Sequence, residues 1–327
     1  MHVRKLSGQE GMNGIMKKTK IIIGLICLTI LIVFVAVFCF GELFGGVKID
    51  EKTFPDENFR TYLLEKQDHN KDKRLPPDQI GVINYFTLED CDNLQGIEEF
   101  TSLRTLTLVN CKDMSALESV TSLRTLHLID CKNVSIDFSK FTDLTSLTIT
   151  NSEVNVDIDM SGFQYIKNIE IEDSSVRSLT LNGCPILDKV YIHTSSADTL
   201  KIGNCPLLNN VTIREVQKLT SIVIDDCPKL FGAYISDSPE LNEVALRKCT
   251  SLYNVNVLDC SGVKEIDVRG CEYIWKVFNT PDALHITDSS KRPGYVIYGA
   301  SNDMALKALK LPDIRIECLS DVEIITK

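Results

Sequence analysis

The chain has 327 residues, of which 35 are Lys or Arg and 45 are Asp or Glu, so its formal net charge is −10. Hydrophobic residues make up 44% and charged residues 24%, which excludes a disordered or collagen-like chain and is enough for a large core. Residues 1–20 hold a charge of +4, so the chain after residue 40 sums to −14. That acidity argues against nucleic acid as a partner, because phosphate binding needs basic side chains.

Residues 21–40 are an uncharged, almost wholly apolar run. A helix of this length rises about 30 Å, the thickness of the hydrocarbon layer of a bilayer. Lys17, Lys18 and Lys20 stand directly before it, so we expect residues 1–20 to be a cytoplasmic basic tail, residues 21–40 a transmembrane helix, and the remainder to be extracellular on a single-pass cell-membrane protein. A cleaved signal peptide is the alternative, although its apolar region is usually shorter, about 7 to 15 residues.

We expect residues 41–53 to be a linker and residues 54–82 a small helical cap, because acidic residues follow Phe54-Pro55 where a first helical turn would lie. The cap would shield the first copy of the repeat described below from solvent.

A loop inside this cap matches part of an EF-hand calcium loop. Asp68, Asn70 and Asp72 occupy its first, third and fifth positions. Lys73 stands at the sixth position, where glycine makes the sharp turn, and Gln79 at the twelfth, where a glutamate binds calcium through two oxygens. Calcium binding by Asp68, Asn70 and Asp72 and a purely structural cap are therefore both open.

The chain repeats the pattern L-x-x-L-x-L-x-x-C, in which apolar positions alternate with outward ones. The clearest copies end at Cys91, Cys111 and Cys131, and the period is 20 to 22 residues. From about residue 176 the pattern occurs twice in each period, as half-repeats of 11 residues. One copy cannot bury its apolar side alone, so the copies must stack into a solenoid.

We expect each turn of this solenoid, here called a coil, to have two sides. Side A is predicted to be a strand in about nine coils, and side B a short turn-rich return in the early coils and a second strand from about residue 176. The solenoid is predicted over residues 83–280 and a C-terminal cap over residues 281–327. The predicted cap elements are a strand at 295–298, a helix at 303–310 and a strand at 314–318.

These repeats resemble leucine-rich repeat proteins, especially the short-repeat type found on bacterial surfaces. The resemblance implies a strand-dominated α/β-type leucine-rich repeat solenoid over residues 83–280. The segment before the repeats resembles the calcium-loop-like module that precedes them in such proteins. That resemblance implies metal ligation by Asp68, Asn70 and Asp72, with calcium as the metal. It does not imply a particular ligand for the repeats.

Ten of the twelve cysteines lie outside residues 21–40, and nine of these ten occupy the last position of the repeat. An exported domain would usually pair its cysteines. The repeat position instead favours a stacked ladder of small, buried, free thiols. No C-x-x-C pair occurs, so zinc binding and thioredoxin-like chemistry are unsupported.

Outward residues at the same position of successive coils form columns, because the coils stack in register. On side A the columns bring together acidic, basic, imidazole and aromatic groups, which we name the side A patch: Glu170, Glu172, Lys189, Tyr191, His193 and Arg214. Aromatic and arginine side chains often anchor interfaces, so this patch is the predicted ligand site. The alternative is a solvated face whose opposite charges pair across strands.

Side B offers a second charged cluster, in which stacked Glu243 and Glu265 would repel each other and Arg247 and Arg269 could relieve that repulsion. Its remaining members are Asp225 and Asp267. This arrangement has an adequate structural explanation.

No Ser-His-Asp arrangement and no metal-ligand spacing is visible in the repeats, so we expect no enzyme. The sequence favours a membrane-anchored extracellular binding module for adhesion or recognition of protein or glycan ligands. The alternatives are a carbohydrate-active solenoid enzyme, either a lyase or a hydrolase, and a purely structural envelope protein.

Overall fold

A computed structural model describes residues 45–263 and 267–271, together with the backbone of residues 265–266, 276–280 and 323–325. The predicted basic tail, the predicted transmembrane helix and the three predicted elements of the C-terminal cap lie outside the described residues. Within them, the longest helix has ten residues, and no helix has the length and apolar character needed to cross a bilayer.

The N-terminal segment contains β1 (Val47–Lys48), α1 (Glu57–Lys66), β2 (Arg74–Leu75) and α2 (Pro77–Ile80). β1 pairs with β2 in antiparallel fashion, so part of the predicted linker is a strand. The pairing is held by Arg74, whose guanidinium donates to the carbonyl of Gly45 at 2.5 Å.

Asp56 is the N-cap of helix α1, and its side chain accepts a hydrogen bond from the N–H of Phe59 at 2.8 Å. Phe59 is fully buried, and its ring meets that of Phe86 edge to face with centroids 6.0 Å apart. Gly96 has φ 96°, and a Cβ there would collide with the ring of Phe54, so only glycine fits. The segment thereby covers the apolar end of the first coil.

Side A is a parallel sheet of ten strands. Its strands, numbered in chain order, are β3 (Tyr85–Glu89), β4 (Thr105–Val109), β5 (Thr125–Ile129), β6 (Ser146–Thr150), β8 (Asn168–Glu172), β10 (Lys189–His193), β12 (Asn210–Arg214), β14 (Gly232–Ser236), β16 (Asn254–Leu258) and β18 (Lys276–Thr280). The inward residues of β3 to β16 on this side are buried in one continuous core, as the alternating pattern predicts.

Side B is a parallel sheet of seven strands. They are β7 (Glu153–Asp159), β9 (Ser175–Asn182), β11 (Thr199–Gly203), β13 (Ser221–Asp225), β15 (Glu243–Arg247), β17 (Glu265–Asp267) and β19 (Glu323–Ile325). In the early coils the return is a 3-10 helix, at Ile97–Glu99, Ser115–Ser119 and Phe138–Lys140. The second sheet begins at Glu153, earlier than the predicted residue 176, because Val154, Val156 and Ile158 already alternate with polar residues.

The residue after each of the first nine side A strands has a left-handed backbone. These residues have φ between 46° and 56°: Asp90, Asn110, Asp130, Asn151, Asp173, Thr194, Glu215, Asp237 and Asp259. Asn and Asp adopt this conformation with little strain, because their short polar side chains bond locally. The conformation lets the chain leave the sheet sharply at every coil.

One residue further on, eight of these nine turns have a buried serine or cysteine that bonds to the backbone of the same turn, and the turn after Glu215 has the buried Val216 instead. The hydroxyl of Ser174 donates to the carbonyl of Glu172 at 2.6 Å and accepts from the N–H of Ser152 at 3.0 Å. The nine described cysteines are all buried and free, as predicted. Burial raises the pKa of Cys260 to about 11, so this group is a thiol at neutral pH.

Candidate functional site

The strand register confirms that the side A patch is assembled on neighbouring strands. Tyr191 lies opposite Glu170, and His193 lies between Glu172 on one side and Arg214 on the other. Because neighbouring parallel strands are about 4.8 Å apart, these side chains leave one surface side by side. The sequence columns therefore predicted the adjacency correctly, while ligand binding there stays a prediction.

The charges of the side A patch do not neutralise one another. Within the described part of the chain, Glu170, Glu172, Lys189 and Arg214 have no opposite charge within 4.0 Å. His193 is the exception, with Nε2 3.5 Å from Oε1 of Glu215. Cross-strand ion pairing, which would have explained the patch structurally, is therefore not what these side chains do.

Aromatic rings give the patch a flat component. The rings of Tyr191 and His193 lie with centroids 6.0 Å apart at an interplanar angle of 46°. Tyr191, Thr212 and Tyr234 follow one another in register on three strands. The ring of Tyr234 lies over Gly232, since a Cβ there would be 2.6 Å from its Cε2. Two half-buried tyrosines thus flank a threonine on the same face.

Two of the nine left-handed residues that follow side A strands are neither Asn nor Asp, and both follow strands of the side A patch. Thr194 follows β10 with φ 46°, and Glu215 follows β12 with φ 55°. A β-branched residue in this conformation is strained by about 1 to 3 kcal/mol, and such strain clusters at functional positions. Glu215 also places its carboxylate beside His193, an arrangement that Asn or Asp would alter.

Sequence reasoning missed Glu215 and did not single out Tyr234. Tyr234 belongs to the same column as Tyr191 and could have been found by extending the patch by one strand. Glu215 lies in a turn, where no strand periodicity exists to place it.

The side B cluster is organised around Asp267. Both guanidinium groups bond to Asp267: Nε of Arg247 lies 2.6 Å from Oδ2, and Nη2 of Arg269 lies 2.6 Å from the same oxygen. Hydrogen bonds from Arg269 and Arg247 lower the pKa of Asp267. Glu243 instead accepts from the hydroxyl of Ser221 at 2.6 Å. Both arginines thus bond to the buried carboxylate of Asp267, while relief of the repulsion between Glu243 and Glu265 stays a prediction, since the side chain of Glu265 lies outside the described residues.

The predicted calcium ligands are partly assembled. Asp68 is buried, and its Oδ2 accepts a backbone N–H at 2.9 Å while its Oδ1 has no hydrogen-bond partner. Asn70 donates to Asp72 at 3.0 Å, and Gln79 closes the loop by donating to the carbonyl of Gln67. The unpartnered oxygen fits a cation, whereas the amide at the twelfth position does not supply the expected carboxylate. The described residues contain no cluster of three metal-binding His, Cys, Asp or Glu side chains.

The strands and their register define a strand-dominated parallel solenoid. No protein-family model matches the sequence, and no curated protein matches it. Among solved structures, the chain is similar to an internalin from Listeria monocytogenes, at 16% identity over 68% of this chain and 97% of that one, with a TM-score of 0.22. A similarity of this size carries no argument about function, and the fold rests on the strand register given above.

Proposed function

We propose that this chain is a binding module that presents the side A patch to a protein or glycan ligand in surface adhesion or recognition. The observation that carries the proposal is the set of unpaired charges around Tyr191 on three strands in register. The sheet already orders the backbone that carries these groups, which reduces the conformational entropy lost on binding and so favours affinity. Mixed charges beside an aromatic ring favour a protein ligand over a glycan.

We further propose that residues 21–40 hold the module at the cell membrane with its N-terminus in the cytoplasm and its repeats outside. Support comes from the length of the apolar run and from Lys17, Lys18 and Lys20 directly before it. Protease protection of the N-terminus in intact cells, with cleavage of the repeats from outside, is the expected result. The reverse pattern would contradict this orientation.

The binding proposal is tested with the full-length chain in lipid nanodiscs, probed on protein and glycan arrays. The triple variant Glu170→Ala/Tyr191→Ala/Arg214→Ala is expected to lose binding of any ligand that the natural chain retains. Its matched control is Thr87→Ala/Glu89→Ala/Thr107→Ala, which alters the same sheet on its first two strands, away from the patch. Equal loss in both triple variants would contradict a site at the side A patch.

The two alternatives give different results in the same preparation. A carbohydrate-active enzyme would release new reducing or unsaturated ends from a polysaccharide, and we expect none. A purely structural envelope protein would bind no soluble ligand on either array.

A further inference from the structure

A line of exposed apolar side chains runs along one edge of side A. Seven large hydrophobic side chains are exposed among the described residues, and four of them lie on this line: Tyr165, Ile186, Leu207 and Phe231, which are 37% to 53% exposed. Single exposed hydrophobic residues are ordinary, but a contiguous row of them marks an interaction surface more often than chance.

The line follows the turns that enter consecutive side A strands. Tyr165, Ile186 and Leu207 each stand three residues before a strand, and Phe231 stands directly before β14. The ring of Phe231 stacks on that of Tyr253 in the next coil, with centroids 5.3 Å apart and an interplanar angle of 7°. The stack packs one face of the Phe231 ring against the next coil while the ring stays 45% exposed.

The position three residues before the side A strand is polar in the three coils that precede Tyr165. Ser102, Ser122 and Asp143 stand three residues before β4, β5 and β6. Val82 stands three residues before β3 and is 72% exposed, but these polar turns separate it from Tyr165. The fold therefore tolerates polar residues at this position, and the apolar row is not needed to build the turn.

Ile186, Leu207 and Phe231 line an open groove with a volume of about 660 Å³. Lys167 and Lys229 also line it, and neither has an ion-pair partner in the described part of the chain. Asp188 is the acidic residue of the lining. The groove thus carries a net positive charge in a chain whose net charge is −10.

The groove geometry matches one occupant well. Successive coils are spaced about 4.8 Å apart, close to the 5.4 Å pitch of an α-helix, so a helix lying along the solenoid axis would offer one side chain to each coil. Lys167 and Lys229 belong to turns three coils apart, about 14 Å along that axis. Two carboxylates on the helix could therefore reach both lysines, with aliphatic side chains on the apolar row between them.

We propose that this groove docks an amphipathic helix of a protein partner, with aliphatic side chains facing Ile186, Leu207 and Phe231 and carboxylates facing Lys167 and Lys229. The groove lining shares no residue with the side A patch, although Asp188 directly precedes Lys189, so the inference goes beyond the proposed function and can fail without it. The exposed apolar side chains of Ile186, Leu207 and Phe231 favour the aliphatic face of a helix, and a glycan is an outcome that the test below distinguishes.

The test uses two fluorescent peptides of about 15 residues, long enough to form a helix. One carries leucines at three- and four-residue spacing flanked by glutamates, and the other carries lysines in place of the glutamates. Fluorescence anisotropy is measured with the full-length chain in nanodiscs of uncharged lipid, with empty nanodiscs as the blank. The acidic peptide is expected to bind at least about tenfold more tightly than the basic one.

Three variants locate the binding. Leu207→Glu is expected to weaken the acidic peptide about tenfold or more, while Val82→Glu, at the equivalent turn of the first coil, leaves it unchanged. Lys167→Glu/Lys229→Glu is expected to reverse the preference toward the basic peptide. The reversal is a gain of binding to the basic peptide, and circular dichroism checks that the variant is folded when it is measured.

Absent binding, equal binding of the two peptides, or equal loss in Leu207→Glu and Val82→Glu would each overturn the proposal. A glycan whose binding depends on Leu207 would also overturn it. The triple variant of the side A patch keeps the two proposals distinguishable: it should leave peptide binding intact, and a loss there with none in Leu207→Glu would move the peptide to the patch.

Discussion

Asp56 and Asp92 are joined across the boundary between α1 and the first coil. Oδ2 of Asp56 accepts from the N–H of Asp92 at 2.7 Å, while its Oδ1 accepts from the N–H of Phe59 at 2.8 Å. One buried carboxylate therefore caps a helix and satisfies the turn that follows β3.

Asp56→Ala is expected to lower the free energy of unfolding by about 2 to 4 kcal/mol, because it removes the cap of α1 and leaves the N–H of Asp92 unpaired. Urea unfolding followed by circular dichroism measures the change. Asp78→Ala is the matched control: Asp78 is an exposed first-turn residue of α2 and should cost less than about 0.5 kcal/mol. Similar losses in the two variants would show that Asp56 contributes only its charge.

Asp267 makes stability depend on acidic pH. The pKa of Asp267 is lower in the folded chain than the ordinary 3.8. Its contribution to the free energy of unfolding is therefore complete above about pH 3.8 and is lost as the pH falls through the lower, folded-state pKa. Asp267→Asn should destabilise the chain by about 2 to 4 kcal/mol at neutral pH, since two arginines lose a charged partner. The stability of the variant should also fall less steeply than that of the natural chain below about pH 4. An unchanged acid profile in urea titrations would contradict this role.

Thr194→Asn is expected to raise the free energy of unfolding by about 0.5 to 1 kcal/mol, because asparagine accepts the left-handed backbone that strains threonine. The converse change, Asp237→Thr, places threonine in the equivalent turn with φ 54° and should lower it by a similar amount. Differential scanning calorimetry measures both. If Thr194→Asn lowers the thermal midpoint, the threonine makes a compensating contribution to the turn.

The loop from Asp68 to Gln79 is expected to bind calcium weakly, in the range of about 0.1 to 1 mM. Gln79→Glu should strengthen binding about tenfold, because it supplies the carboxylate that the loop lacks at its twelfth position. Asp68→Asn should abolish binding, since it replaces the buried oxygen that has no partner. Isothermal titration calorimetry with calcium alone decides, and a heat-free titration of Gln79→Glu would exclude the site.

The side A sheet could be predicted from the sequence because the same alternation of apolar and polar residues recurs in every coil. Leu106, Leu126 and Leu147 stack on one another in register, and a slip by one residue would turn each of them outward. The partner of Arg247 could not be predicted, because a long side chain can reach several acidic residues. The buried carboxylate of Asp267 takes the hydrogen bond, since it has the greatest need of a charged partner. The groove was not predicted either, because the columns were drawn only through strand positions, although Ile186 and Leu207 recur 21 residues apart in the turns.

In the later coils both sides are strands, and they begin at a constant interval: Asn210, Ser221, Gly232, Glu243 and Asn254 are each 11 residues apart. Removal of one such half-repeat would exchange the two faces for every residue that follows. Removal or duplication of two would leave both faces and the core in place. Insertions and deletions that preserve the fold should therefore come in units of two half-repeats. Such changes would lengthen or shorten the ligand-facing sheet by whole coils, and the coils on either side would stack on each other in the same register.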